Sequence, residues 1–142
     1  MTAKLTVGWR EWLSLPELGI EKIKAKVDTG ARTSCIHAIH IEEYKEGEEK
    51  WVKFIVQPLQ DDEHTQVACT AKVKKIKAVT SSSGQKELRY FIETRLSAGP
   101  HSWPIEVTLT SRATMKFRML LGRTAMENRI VVDPALSHLL DS

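Results

Sequence analysis

The chain has 142 residues, 42% hydrophobic and 27% charged, with 21 basic against 18 acidic side chains and a formal net charge of +3. That length suits one domain, residues 1–142, with a core of its own; the composition argues against disorder, and the charge is too mild to predict direct nucleic-acid binding. No apolar run approaches the roughly 20 residues that span a bilayer, and residues 1–8 lack the pattern of a signal peptide, so a cytoplasmic protein with no membrane partner is expected.

Along the chain the period is mostly two. Residues 22–27 alternate, with lysines on one face and Ile23, Ala25 and Val27 on the other, which predicts a half-buried strand. Residues 35–41 are a second strand candidate, followed by an acidic run of Glu42, Glu43, Glu46, Glu48 and Glu49 that turns near Gly47. A third strand, residues 51–56, ends at Pro58. Residues 67–79 and 87–96 read as a long hairpin with a Ser/Gly tip at 81–85. Residues 97–100 read as a loop, 105–109 and 117–121 as strands, and 123–129 as the one good helical stretch. Residues 130–132 return to strand, and 134–140 read as a loose terminal helical turn. Many short strands and little helix predict an all-β, closed or semi-closed barrel. Cys35 and Cys69 are too few for a disulfide framework and are expected as reduced thiols. The segment 89–129 is rich in arginine, which favours acidic partners or substrates.

The chemically informative run is Val27-Asp28-Thr29-Gly30-Ala31, directly after the alternating strand. Two carboxylates that share one proton can activate a water between them, one taking its proton while the other protonates the attacked carbonyl. A glycine after such an aspartate lets a loop approach a twin loop, and the Thr29 hydroxyl is suited to tying the two together. The plainer alternative is an ordinary turn, with Asp28 accepting a backbone hydrogen bond and Gly30 at positive φ. Downstream stands Met119-Leu120-Leu121-Gly122-Arg123, an apolar strand running into Gly-Arg and a short helix.

Together these runs resemble the retropepsin-like aspartic peptidases, in which a strand ending in Asp-Thr-Gly-Ala precedes a hairpin flap and an apolar strand leading into Gly-Arg. The longer run from Lys24 to Ser34, with Val7-Gly8-Trp9-Arg10-Glu11 upstream, is similar to a bacterial branch that includes RimB-like proteins and also carries the label of ATP-dependent zinc protease. The resemblance implies a closed barrel with a flap hairpin and one short helix, one catalytic Asp per chain, and an active site completed in a homodimer. It implies Asp28, Thr29 and Gly30 as the catalytic loop. It also implies trimming of a glutamate tail that an ATP-grasp ligase adds to the C-terminus of a small-subunit ribosomal protein. The chain departs from the family pattern in its Ser-rich flap tip, in Cys35-Ile36, and in Arg32 directly after the catalytic loop.

Arg32, Thr33, Arg118 and Arg123, with the hairpin tip Ser82, Ser83 and Gly84, are the expected substrate contacts, since a guanidinium pairs with a carboxylate through two parallel hydrogen bonds. Arg32 and Arg123 serving the dimer interface, or arginines solvated on the surface, are the alternatives. No cofactor is expected: there is no His-Glu-x-x-His, no Cys-x-x-Cys and no Gly-rich nucleotide loop. Cys35, His37, His40, His64, Cys69 and His101 are the residues available to zinc, and scattered surface histidines are the expectation. Positions 35 and 37 of one strand face opposite to position 40. Trp9, Trp12, Trp51 and Trp103 are expected as core and barrel-end packing. A zinc-dependent hydrolase and a non-catalytic, ribosome-binding barrel are the rival readings.

Overall fold

The computed structural model describes residues 4–59, 62, 64–80, 84–111 and 117–140. In chain order its strands are β1 (Leu5–Val7), β2 (Arg10–Leu15), β3 (Ile20–Val27), β4 (Ser34–His37), β5 (Ile39–Glu46) and β6 (Glu49–Val56). They continue as β7 (Val67–Thr80), β8 (Lys86–Ala98), β9 (His101–Thr110), β10 (Met119–Leu121) and β11 (Ile130–Val132). A 3-10 turn, Pro16–Leu18, and one α-helix, α1 (Arg123–Met126), complete the described elements. The fold is all-β with one short helix, as the periodicity predicts. Nine strands form one sheet in the order β2-β3-β10-β4-β9-β8-β7-β6-β5, and Ser14 of β2 also pairs with Ser97 of β8. Strands β1 and β11 pair separately and in parallel.

Alternation decides which side chains enter the core. In β3 the side chains of Ile23, Ala25 and Val27 are buried while Lys22 and Lys26 are exposed. Across β9, β4, β10, β3 and β2, the side chains of Leu109, Ile36, Met119, Ala25 and Glu11 stand in one row. Each is 2% exposed or less. Burying each large aliphatic member contributes about 1.5–3 kcal/mol. Glu11 is the charged exception: its Oε2 accepts from the N–H groups of Gly8 at 2.7 Å and Leu139 at 2.8 Å, and its Oε1 from Leu140 at 2.9 Å. Three donors replace the water that a buried carboxylate would otherwise lose.

Several elements depart from the sequence pattern. The candidate strand 35–41 is two strands, broken at Ala38, which donates its N–H to Thr110 O at 2.9 Å, and β5 is itself irregular between Ile39 and Glu42, where His40 adopts φ 52°. All four residues of β4 are buried, so no alternation marks its ends. The long hairpin is present, with Thr80 opposite Lys86 and Val73 opposite Ile92. Its second strand runs on through Ser97 and Ala98, leaving Gly99 and Pro100 as the turn. The helix stops at Met126, because Glu127 is extended (ψ 129°) and Asn128 takes φ 65°, a value asparagine tolerates. Residues 134–140 form no helix; they lie along the N-terminal segment, Leu136 O accepting from Trp9 N at 2.8 Å and His138 N donating to Arg10 O at 3.0 Å. No helix among the described residues is long and apolar enough to cross a membrane.

Candidate active site

Strand β10 lies between β3, to which it is parallel, and β4, to which it is antiparallel. The loop 28–33 joining β3 to β4 must therefore arch over the end of β10, and backbone hydrogen bonds hold it there. Asp28 N donates to Leu121 O at 2.9 Å, Arg123 N to Ala31 O at 2.8 Å and Thr124 N to Arg32 O at 3.0 Å. Gly122 N donates to the Ser34 hydroxyl at 3.0 Å. The approach is so close that a Cβ on Gly122 would sit 2.6 Å from the Thr33 carbonyl carbon. The Asp-Thr-Gly-Ala and Leu-Leu-Gly-Arg runs, some ninety positions apart, thus form one structural unit.

Asp28 is half-buried, and Thr29 and Gly30 are exposed. The Asp28 Oδ1 accepts from Gly30 N at 3.0 Å, which fixes the carboxylate relative to its own loop. Ala31 N also donates to Asp28 O at 3.2 Å, so the loop is a turn in which Asp28 accepts backbone hydrogen bonds, as the plainer reading has it. Only the positive φ is missing, since Gly30 is not among Gly19, Gly47, Gly84 and Gly99, which adopt it. The Arg123 Nη1 donates to Thr29 O at 3.1 Å and Gly30 O at 3.3 Å, pinning the loop from the helix side. On that flank Thr29 and Arg123 border a cavity of about 450 Å³ together with Glu127, Asn128 and Ile130.

On the other flank, exposed Arg32 and half-buried Thr33 line a cavity of about 270 Å³ shared with Lys75, Lys77, Phe91, Glu106 and Thr124. Gly84 is exposed at the hairpin end with φ 85°, and Ser82 and Ser83 lie outside the described residues. Arg118 is not with Arg32 and Arg123 on the surface. It is 6% exposed, and its carbonyl accepts from His37 N at 2.9 Å. His37, expected as a surface histidine, is 1% exposed. Burial pushes its imidazole below the ordinary 6.5, the Arg118 charge pushes the same way, and a hydrogen bond with the Thr110 backbone partly opposes them. Arg89, 9% exposed and 3.4 Å from Glu87, continues this polar face of the sheet, where the Thr110 hydroxyl donates to Glu87 at 3.0 Å. The sequence reading missed Ser34, Lys75, Lys77 and Glu106; only Ser34 had a local signal, as part of the extended motif.

Among the described residues, no group of three or more His, Cys, Asp or Glu side chains is placed to hold a metal ion. Cys35 and Cys69 are both buried and form no disulfide. Burial pushes the Cys69 thiol up to about 11, and its Sγ lies 3.3 Å from Leu18 O as a protonated donor. Of the tryptophans only Trp103 is core, 4% exposed with Nε1 donating to Ala125 O at 2.9 Å. Trp9, Trp12 and Trp51 are half-buried, Trp12 under the ammonium of Lys22 at 4.4 Å and Trp9 edge-on to Phe117.

Residues 6–141 match the family model described as "Retropepsin-like aspartic endopeptidase RimB". The chain is 48% identical over 140 residues to a "Probable alpha-L-glutamate ligase" of Parasynechococcus marenigrum, covering 99% of this chain and 30% of that protein. A protein of the same name from Desulfotalea psychrophila is 48% identical over 134 residues, 94% of this chain and 29% of its own length. The chain thus spans about 30% of the length of these relatives. A crystal structure of a Legionella pneumophila protein of unknown function superposes with a TM-score of 0.80 over 98% of this chain and 100% of that one, at 23% identity, and shares its fold.

Proposed function

Because the chain belongs to the RimB-like family of retropepsin-like aspartic endopeptidases, we propose that it hydrolyses peptide bonds with Asp28 as its catalytic carboxylate. In this reading the sheet wraps as a closed barrel, the β7–β8 hairpin is the flap, and two copies of the single domain meet so that their Asp28 loops face each other. The observation that carries it is the loop itself: a carboxylate fixed by its own Gly30 N–H, on a loop held by β10 and by the Arg123 guanidinium. Asp62 and Asp133 also accept from the N–H two residues on, at His64 and Ala135, but neither carboxylate stands on a loop held by β10 and an arginine guanidinium.

A dyad of two such carboxylates holds one proton, because two like charges so close do not both ionise. The ionised member takes a proton from a bound water as its oxygen attacks the scissile carbonyl carbon, and the protonated member gives its proton to the carbonyl oxygen. The tetrahedral diol then collapses, the C–N bond breaks, and the amine leaves with a proton returned from the dyad. Arg123 keeps the loop carbonyls of Thr29 and Gly30 in place, so the carboxylate needs no rearrangement as charge moves.

The substrate is an acidic peptide, a glutamate tail added by an ATP-grasp ligase to the C-terminus of a small-subunit ribosomal protein, met in the cytoplasm. Two findings support it. Proteins named as α-L-glutamate ligases give about 30% of their length to a segment like this chain, and basic side chains border the catalytic loop on both flanks. The test is Asp28→Asn with a glutamate-tailed peptide. The variant should keep its fold by circular dichroism while kcat falls on the order of 10²–10⁴-fold; wild-type turnover in the variant would overturn the aspartic mechanism.

A further inference from the structure

The cavity beside Arg32 has walls from distant parts of the chain. Arg32 and Thr33 come from the end of the catalytic loop, Lys75 and Lys77 from β7, and Glu106 from β9. Lys75 and Lys77 are two apart on one strand, opposite Phe91 and Arg89 of β8, so both project to the face the cavity occupies. At about 270 Å³ the space suits side chains of a bound peptide more than a whole ligand. Three cationic groups line it against the single carboxylate of Glu106. That carboxylate is already divided: its Oε2 lies 3.0 Å from the Lys74 ammonium and its Oε1 3.7 Å from that of Lys75. Lys75 also sits 4.8 Å over the Phe91 ring, which holds its ammonium over the cavity wall.

We propose that Arg32, Lys75 and Lys77 form a carboxylate-binding subsite directly beyond the catalytic loop, with Glu106 as an internal stand-in that a substrate carboxylate displaces from Lys75. The excess of positive charge favours an anion, and because Arg32 and Thr33, at the end of the loop that carries Asp28, line the cavity, that anion is a side chain of the peptide being cut. A glutamyl carboxylate entering the cavity pairs with the Arg32 guanidinium and the Lys77 ammonium and competes with Glu106 for Lys75. Glu106 keeps Lys75 in place when the cavity holds no anion and raises the threshold for weakly anionic ligands. This subsite deepens the peptidase reading and rests on it. Binding is measured apart from hydrolysis, so the two fail separately.

The full chain carrying Asp28→Asn binds tetraglutamate or tetraglutamine in a calorimeter at low and at high salt. Adding Lys75→Gln and Lys77→Gln, both at exposed positions, should weaken tetraglutamate binding by about tenfold for each lost ammonium and flatten its salt dependence. Adding Glu106→Gln instead should tighten it several-fold. Tetraglutamine should bind weakly to every variant. Equal affinity with and without the lysines, no tetraglutamate binding by the parent, or equal binding of tetraglutamine would each overturn the subsite. Tight binding of inorganic polyphosphate with no binding of the peptide would also overturn it, by assigning the cavity to phosphate chains. A wild-type rate in Asp28→Asn alongside lysine-dependent tetraglutamate binding would instead sink the aspartic mechanism and leave the subsite standing.

Discussion

His37 shows how much one side chain's meaning depends on its neighbours. In the sequence it is a histidine near a cysteine, open to metal or solvent; in the fold it is 1% exposed, its N–H donating to Arg118 O and its strand position standing opposite Thr110. Burial and the nearby guanidinium both disfavour a second positive charge, so its pKa lies below 6.5 in the folded state. A group whose folded pKa is lowered favours the native state when deprotonated. The stability it lends is complete above 6.5 and is lost as the pH falls through the lower folded value. Urea unfolding of the wild type should therefore show stability dropping as the pH falls below about 6.5. His37→Gln should flatten that drop, and an identical drop in both proteins would assign acid sensitivity to other groups.

At the scale of elements, the ends of the described chain are tied to each other. Strand β1 pairs with β11, Val7 O accepts from Asp133 N at 2.8 Å, and the Glu11 carboxylate of β2 holds Leu139 and Leu140. Glu11 thus joins a strand of the main sheet to a segment without regular structure. Replacing it by glutamine turns one acceptor oxygen into a donor that faces N–H groups. Hydrogen bonds to a charged partner contribute roughly 1.5–3 kcal/mol each, so Glu11→Gln should destabilise the protein by at least that amount. Amide exchange should accelerate first at Leu139, Leu140 and Gly8. Unchanged exchange at those three amides would show that the clamp is not what holds the segment.

For the whole molecule, one chain presents one Asp28 loop, and a two-carboxylate site needs two. Large apolar side chains remain exposed at Val131 (48%), Leu136 (45%) and Leu139 (42%), in the C-terminal segment whose Ile130 borders the cavity beside Thr29, and at Ile76 (39%) and Leu88 (73%) in the β7–β8 hairpin. Burying such surface against a second copy would favour association. Specific activity should accordingly fall on dilution as dimers separate, and sedimentation should show the mass halving over the same concentration range. Constant specific activity in a demonstrated monomer would remove the two-chain mechanism.

Local patterns determined much of this protein from sequence alone. Period-two alternation in β3 and the hairpin of β7 and β8 is visible because each strand has one face in the core and one in solvent. The Asp28 loop and the Gly122-Arg123 run are contiguous and chemically distinctive, so both could be recognised without coordinates. Strand β2 was missed because Glu11 occupies an inward position, where a charge breaks the apolar alternation. The extent of β4 was overestimated because it is buried on both faces and its break at Ala38 depends on the hydrogen bond that Ala38 donates to Thr110 of β9. Only the tertiary structure decided that Arg118 is enclosed while Arg123 pins the loop, and that Arg32 shares a cavity with Lys75, Lys77 and Glu106. The physical reason is register: alternation says that a strand has two faces, but the strands hydrogen-bonded beside it decide which side chains meet on each.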